Sequence, residues 1–268
     1  PQNLNSIMEY IKLYKNNVIE NILFIGPSGT GKTMTAAWLS GILGLPLFRL
    51  SFPKIFDSFL GKTARNLSGA LKEVVENNGI LFLDEMDAIL RSREMKNDHG
   101  EMQRTVNMLL MELDNYSQKF PIFAATNLYS YVDKAVSRRF HRILFFDVPN
   151  NFLRERFIRM KLSSTSLPPY VVPLLNNLCE GFSYAHLEIM LKKLSLDNKS
   201  NFEWFNIIQQ LHSISSHEQN NRITDFLNSS IETQTQKLVE WDVEKQCIAS
   251  IFNVSEALVS RWVSKVPS

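Results

Sequence analysis

The sequence predicts an α/β chain in which a parallel, helix-covered sheet of five strands is followed by a smaller all-helical domain. Three observations carry this. Between Asn21 and Phe146, short continuous apolar runs alternate with helix-length periodic segments, as strands buried on both faces require. The first run leads into a glycine-rich turn and then a helical stretch. After Pro149 the strand signals stop, and apolar residues recur only at helical spacing.

Residues 1–20 form a lead-in. The five strands are expected at 22–25, 47–50, 80–83, 122–125 and 143–146. The connections between them are long enough for crossover helices, so the core over 21–150 is a parallel, helix-covered layer. Helices are expected at 152–162, 172–179, 184–194 and 202–211, which makes 151–212 a small helical lid domain. Between 213 and 236 Ser, Thr, Asn and Gln dominate, and the segment reads as a polar linker or a loosely packed helix. Helical periodicity returns over 238–266, giving a helical carboxyl tail at 237–268.

Composition narrows the class. With 268 residues, 44% apolar, 21% charged, and only 10 Gly and 10 Pro, the chain is neither collagenous, rod-like nor wholly disordered. Its longest apolar runs are four residues, against about 20 for a bilayer-spanning helix. No membrane span is expected. The sequence begins at Pro1 without a leader pattern, so further amino-terminal residues are expected. A net charge of +2 names no partner by itself. Cys179 and Cys247 have no CxxC or His spacing, which fits free thiols and a cytoplasmic location. The five histidines contain no HExxH and form no cluster, so surface or packing roles are expected of them.

The chemistry begins at 21–33, NILFIGPSGTGKT, where a strand runs into Gly26, four residues, and then Gly31, Lys32 and Thr33. Gly26, Gly29 and Gly31 let this loop, which also holds Pro27, Ser28 and Thr30, turn its N–H groups inward. The helix that continues from Met34 adds its positive amino end, completing an anion cradle. Lys32 is placed for the β and γ phosphates of a nucleotide, and Thr33 for Mg2+. The second half of the site is GILFLDEMD at 79–87, whose acidic residues follow an apolar strand. Open α/β sheets place ligands at such carboxyl edges. Asp84 is expected to hold Mg2+ directly or through water, and Glu85 to polarise the attacking water.

With these residues in this order, the chain from about 21 to about 211 resembles the AAA family of ATPases. The resemblance implies a P-loop NTPase fold, with ATP and Mg2+ as cofactors. AATN at 124–127 resembles the family's first sensor, which makes Asn127 a residue that positions the hydrolytic water. VDKAVSRRF at 132–140 resembles the arginine-finger stretch and assigns that role to Arg138 and Arg139. Fingers that reach a neighbour's nucleotide imply a homo-oligomeric single ring, a hexamer by the family pattern. Phe59, Leu60 and Gly61 resemble the pore loop of protein-threading members. His99 and Gly100 match a second pore loop, and Arg104 a subunit boundary. EGFSYAHL at 180–187 resembles the lid signature, in which Gly181, Ser183 and Ala185 fit the pattern near the adenine and no second-sensor arginine occurs. Two departures stand out: Ser28 replaces a second Pro, and His141 stands where an acidic residue is usual.

The resemblance implies Mg-dependent ATP hydrolysis that remodels or unfolds a protein partner through a ring pore. Two alternatives stay open: an ATP-switched DNA-binding protein, and an ATPase subunit feeding a separately encoded protease or effector. They turn partly on residues 246–268, which read as two helices around a tight turn. Ser255, Glu256, Ser260 and Arg261 are the DNA-facing candidates. Arg261 and Lys265 against Glu256 leave a net +1 there, thin for phosphate-driven binding. That balance favours docking of a protein through Ile251, Phe252, Val259 and Trp262.

Overall fold

The computed structural model describes residues 2–51, 63–87, 111–116, 119–128, 137–163, 168–196, 207 and 217–264. They fall into two compact units, residues 1–147 and 148–268.

In the first unit, β1 (Ile22–Ile25), β2 (Leu47–Ser51), β3 (Ile80–Asp84), β4 (Ile122–Thr126) and β5 (Arg142–Phe145) form one sheet in the order β2-β3-β4-β1-β5. Every pairing is parallel, and each strand end lies within one residue of its expected position. Over 22–25, 80–83 and 122–125 the strands are apolar and buried because each face has its own cover. Ile22 and Phe24 of β1 share a core with Ile7, Tyr10 and Ile11 of α1 (Gln2–Lys15) and with Ala36 and Leu39 of α2 (Lys32–Leu43). Leu23 and Ile25 point the other way, into a core with Leu71 and Val74 of α3 (Thr63–Glu76). Burying side chains of this size stabilises by about 1.5–3 kcal/mol each relative to exposure.

The expectation of a lead-in over 1–20 is therefore corrected, because α1 is a packed layer of the α/β unit. Tyr10 is fully buried, and its ring meets Phe123 edge-on at 5.8 Å, which in turn meets Phe24 at 5.8 Å. Such edge-to-face pairs add to simple area burial.

The second unit consists of α4 (Asn151–Lys161), α5 (Val171–Leu178), α6 (Tyr184–Leu196), α7 (His217–Asn228), α8 (Ile231–Glu240), α9 (Lys245–Phe252) and α10 (Glu256–Ser264). One core runs through it from Ile158 to Val259. Arg154 is buried in it, and its cost is offset by donation from Nε to the Asn176 carbonyl at 2.6 Å and from Nη1 to the Pro149 carbonyl at 3.0 Å. Of the helix expected at 202–211 only Ile207 is described, and it is buried in this core.

The segment 213–236 is helical where it is described. Of its two readings the helix stands and the polar linker does not, and the helix is packed rather than loose. The described part of the segment is α7 and the start of α8, with Ile223 and Phe226 buried in the shared core. The polar residues that suggested a linker are doing capping work. Ser230 caps α8 by accepting from the Thr233 N–H, and buried Gln234 donates to the Leu227 and Ser229 carbonyls at the end of α7. The separate tail at 237–268 is corrected for the same reason: Leu238, Ile248 and Val259 are fully buried in that core. Val259 is thus unavailable for docking, whereas Ile251, Phe252 and Trp262 are half-buried. Both thiols are free, Cys179 buried and Cys247 half-buried. Among the described residues, no helix is long and apolar enough to cross a membrane.

The amino edge of the sheet is tied together at Asn21. Asn21 is buried, its Oδ1 accepting from the Ile122 N–H at 3.0 Å and its Nδ2 donating to the Arg139 carbonyl at 3.0 Å. Its backbone N–H donates to His141 Nδ1 at 3.0 Å, and its carbonyl accepts from the Arg142 N–H at 3.2 Å. β1, β4 and β5 are thereby fixed at one level. Asn21→Ala should cost about 2 kcal/mol, because the buried Ile122 N–H loses its partner. The loss should appear as a lower urea midpoint, and an unchanged midpoint would refute this role.

Candidate functional site at the carboxyl edge of the sheet

The register carries the opposite edge too. Ile25 pairs with Thr126, and Leu83 with Ala124, so β1, β3 and β4 end side by side. Gly26 leaves β1 with its N–H donating to the Thr126 carbonyl at 3.1 Å. Its φ is 154°, and an added Cβ would lie 2.0 Å from the Phe146 carbonyl oxygen. Only glycine turns there. Thr30 Oγ1 donates to the Pro27 carbonyl at 2.8 Å and closes the loop. Gly31, at φ 101°, caps α2 in the left-handed region. Pro27, Ser28 and Met34 are exposed on this loop and the first turn of α2.

Lys32 folds back over the loop it follows. Its Nζ donates to the Gly26 carbonyl at 2.6 Å, the Pro27 carbonyl at 2.8 Å and Asn127 Oδ1 at 2.6 Å. Burial pulls its ammonium below the ordinary lysine value, while the nearby Asp87 and Asp84 carboxylates oppose that shift. Asn127 is aimed by Asp87, which accepts from the Asn127 N–H at 2.8 Å, from Asn127 Nδ2 at 3.0 Å and from the Thr126 hydroxyl. With its amide nitrogen held this way, the oxygen faces Lys32.

Beside this chain lies an oxygen pair. Thr33 Oγ1 donates to Asp84 Oδ2 at 3.2 Å, and the Glu85 N–H donates to Asp84 Oδ1 at 3.0 Å. Arg49 Nη2, from β2, is 2.7 Å from the same Asp84 Oδ2. Glu85 is exposed at φ 58°, a left-handed conformation that costs a non-glycine residue about 1–3 kcal/mol and that clusters at functional sites.

Lys32, Thr33, Asp84, Glu85 and Asn127 are thus gathered at one sheet edge. Arg138 is exposed, whereas Arg139 makes a two-pronged contact with Asp114, at 2.7 Å for each oxygen. In the second unit, Gly181 sits at φ 82°, Ser183 is buried ahead of α6 with its Oγ accepting from the His186 N–H at 3.4 Å, and Ala185 is exposed. Phe59, Leu60, Gly61, His99, Gly100 and Arg104 lie outside the described residues.

Residues 22–148 match the family described as ATPase family associated with various cellular activities (AAA). They are an AAA ATPase domain. The chain is 37% identical over 179 residues to the uncharacterized AAA family ATPase y4kL of Sinorhizobium fredii, an alignment covering 66% of this chain and 54% of that protein. It is 32% identical over 209 residues to ATP-dependent zinc metalloprotease FtsH 2 of Petrotoga mobilis, covering 73% of this chain and 33% of that one. The chain therefore spans about half the length of the first relative and a third of the second. A crystal structure of the FIGL-1 AAA domain in complex with ADP shares the fold, with a TM-score of 0.65 at 17% identity, covering 84% of this chain and 86% of that one. The α/β unit is a P-loop NTPase fold.

The AAA domain implies ATP and Mg2+, and its residues fit both. Mg2+ favours hard oxygen donors and keeps several waters, so it needs only one or two from the protein. Thr33 and Asp84 offer an adjacent hydroxyl and carboxylate. Buried Lys32 supplies the positive charge beside a loop built from glycine turns.

Two residues of this site escaped the sequence reading. Asp87 was signalled by the third acid of GILFLDEMD, three positions after Asp84. Arg49 carries no local signal, because only the β2–β3 pairing brings it to Asp84. Asp87→Ala should release the Asn127 amide and lower ATP turnover by about tenfold to hundredfold, since small misplacements at a reacting centre cost that much. ADP affinity should change little in the same variant. Unchanged turnover would exclude Asp87 as the residue that aims Asn127.

Proposed function

We propose that this chain binds ATP with Mg2+ at the carboxyl edge of its sheet, hydrolyses it, and uses the energy to remodel or unfold a protein partner. The observation that carries this reading is the hydrogen-bonded set of Lys32, Thr33, Asp84 and Asn127 at one strand-end level. Lys32 takes the phosphates, exchanging carbonyl partners for them, and Thr33 and Asp84 hold Mg2+. Mg2+, when bound, offsets the charge on the phosphate oxygens. Glu85 accepts the proton of the attacking water, and Asn127, fixed by Asp87, orients that water.

Copies assemble as a ring, a hexamer in this reading, in which Arg138 serves the neighbouring copy's site. The exposure of Arg138 and the Asp114 contact of Arg139 support a division of labour. Arg138 reaches outward, and Arg139 braces its base. Gly181 and Ala185 belong to the lid that meets the adenine, and Phe59, Leu60 and Gly61 to the pore. The relative named an ATP-dependent zinc metalloprotease supports a protein as the object of the work. The net +1 over 246–268 gives DNA no comparable support.

Glu85→Gln should retain ATP binding and lose at least about a hundredfold in turnover, the usual contribution of a positioned base. Lys32→Ala should lose nucleotide affinity. Arg138→Ala should be inactive alone, and mixing it with Lys32→Ala should restore part of the turnover at shared interfaces. Near wild-type turnover in Glu85→Gln would remove the base from Glu85. A co-assembled mixture that stays inactive would remove catalysis between copies.

A further inference from the structure

Among the described residues, Arg49 is the one cation at the site that the phosphate chemistry does not call for. It lies in the middle of β2, one strand beyond β3 and away from the phosphate loop on β1. The register pairs Arg49 with Phe82 and Ser51 with Asp84. Arg49 therefore emerges on the same sheet face as Asp84, two positions back, because side chains alternate faces along a strand. Its Nη2 is 2.7 Å from Asp84 Oδ2, the oxygen that also accepts from Thr33 Oγ1 at 3.2 Å. The other oxygen, Oδ1, accepts from the Glu85 N–H. A divalent cation held by Thr33 and Asp84 would meet the carboxylate that already carries the guanidinium.

The two ends of this ion pair differ in their surroundings. The Asp84 side chain is 8% exposed and cannot leave, while the Arg49 side chain is 56% exposed and has water to move into. A carboxylate this buried is costly to leave without a counter-charge. An arginine this exposed makes a weak pair that a stronger cation displaces.

We propose that Arg49 is a resident counter-cation that holds Asp84 in the absence of nucleotide and competes with Mg2+ for Asp84 Oδ2, so that it sets the Mg2+ concentration at which nucleotide loads. The proposal rests on the reading of Asp84 as the Mg2+-holding carboxylate. Arg49 is a positioning residue, acting through Asp84 without touching the phosphates.

The test is a Mg2+ titration of binding of a fluorescent ADP analogue to the full chain, with a parallel measurement in EDTA; ADP removes turnover from the readout. Arg49→Gln and Arg49→Met should each lower the Mg2+ midpoint by about threefold to fivefold, the scale of an exposed ion pair. Arg49→Lys keeps a cation there and should stay within about twofold of wild type, as a point charge on a similar stem. Affinity in EDTA should be the same for all four proteins. An unchanged or raised midpoint in both neutral variants would overturn the proposal. Weaker binding in EDTA would overturn it as well, since it would make Arg49 a direct phosphate contact. Asp84→Asn separates the two levels: it should raise the midpoint by about tenfold or more, as loss of a metal-site group does, and no change there would refute the Asp84 assignment itself.

Discussion

The level at which β1, β3 and β4 end is the constraint on which the rest of the site depends. Parallel pairing sets Ile25 against Thr126 and Leu83 against Ala124, so the residues that follow each strand meet at one edge, Lys32 reaching Asn127 and Thr33 reaching Asp84. Asn21 fixes the other end of β1 and β4, together with β5, through bonds to Ile122, Arg139 and Arg142. A slip of one residue would turn each side chain to the opposite face. It would also separate Lys32 from Asn127 and Thr33 from Asp84. The two covered faces resist that slip, because each buries alternate residues of the same strands.

The second property of the site is that its polar groups satisfy one another. Lys32 is held by two loop carbonyls and Asn127; Asn127 by Asp87; Asp84 by Thr33, Arg49 and the Glu85 N–H. Buried charges left unpaired would destabilise the unit by several kcal/mol. Loading is therefore an exchange of partners, in which phosphate oxygens replace carbonyl oxygens around Lys32. The strain sits at Gly26 and Glu85, where chain direction changes at the sheet edge. Gly26 meets its requirement by lacking a Cβ, and Glu85 is held by neighbouring backbone through the Met86 N–H to the Ala125 carbonyl at 3.0 Å.

The strands were legible because burial on both faces leaves a run with no polar interruption, and ILFI, ILFL and IFAA each show it. The phosphate loop was legible because its glycine spacing has a mechanical meaning, visible at Gly26. What failed was composition used as a proxy for packing. Ser230 and Gln234 look like linker residues, yet they satisfy helix ends next to buried Phe226 and Leu238. The lead-in was misjudged because Ile7, Tyr10 and Ile11 are too sparse to announce a helix without the sheet they cover. Arg49 was invisible for a deeper reason: a contact between adjacent strands is set by register, which no local pattern encodes.

The claim that this edge is where nucleotide binds is tested most directly by solving the structure of the chain with Mg2+ and a non-hydrolysable ATP analogue. The account predicts the analogue's phosphates against Gly26–Thr33, with Lys32 Nζ moved off the Gly26 and Pro27 carbonyls onto phosphate oxygens. An analogue bound elsewhere, with Lys32 still on those carbonyls, would contradict it.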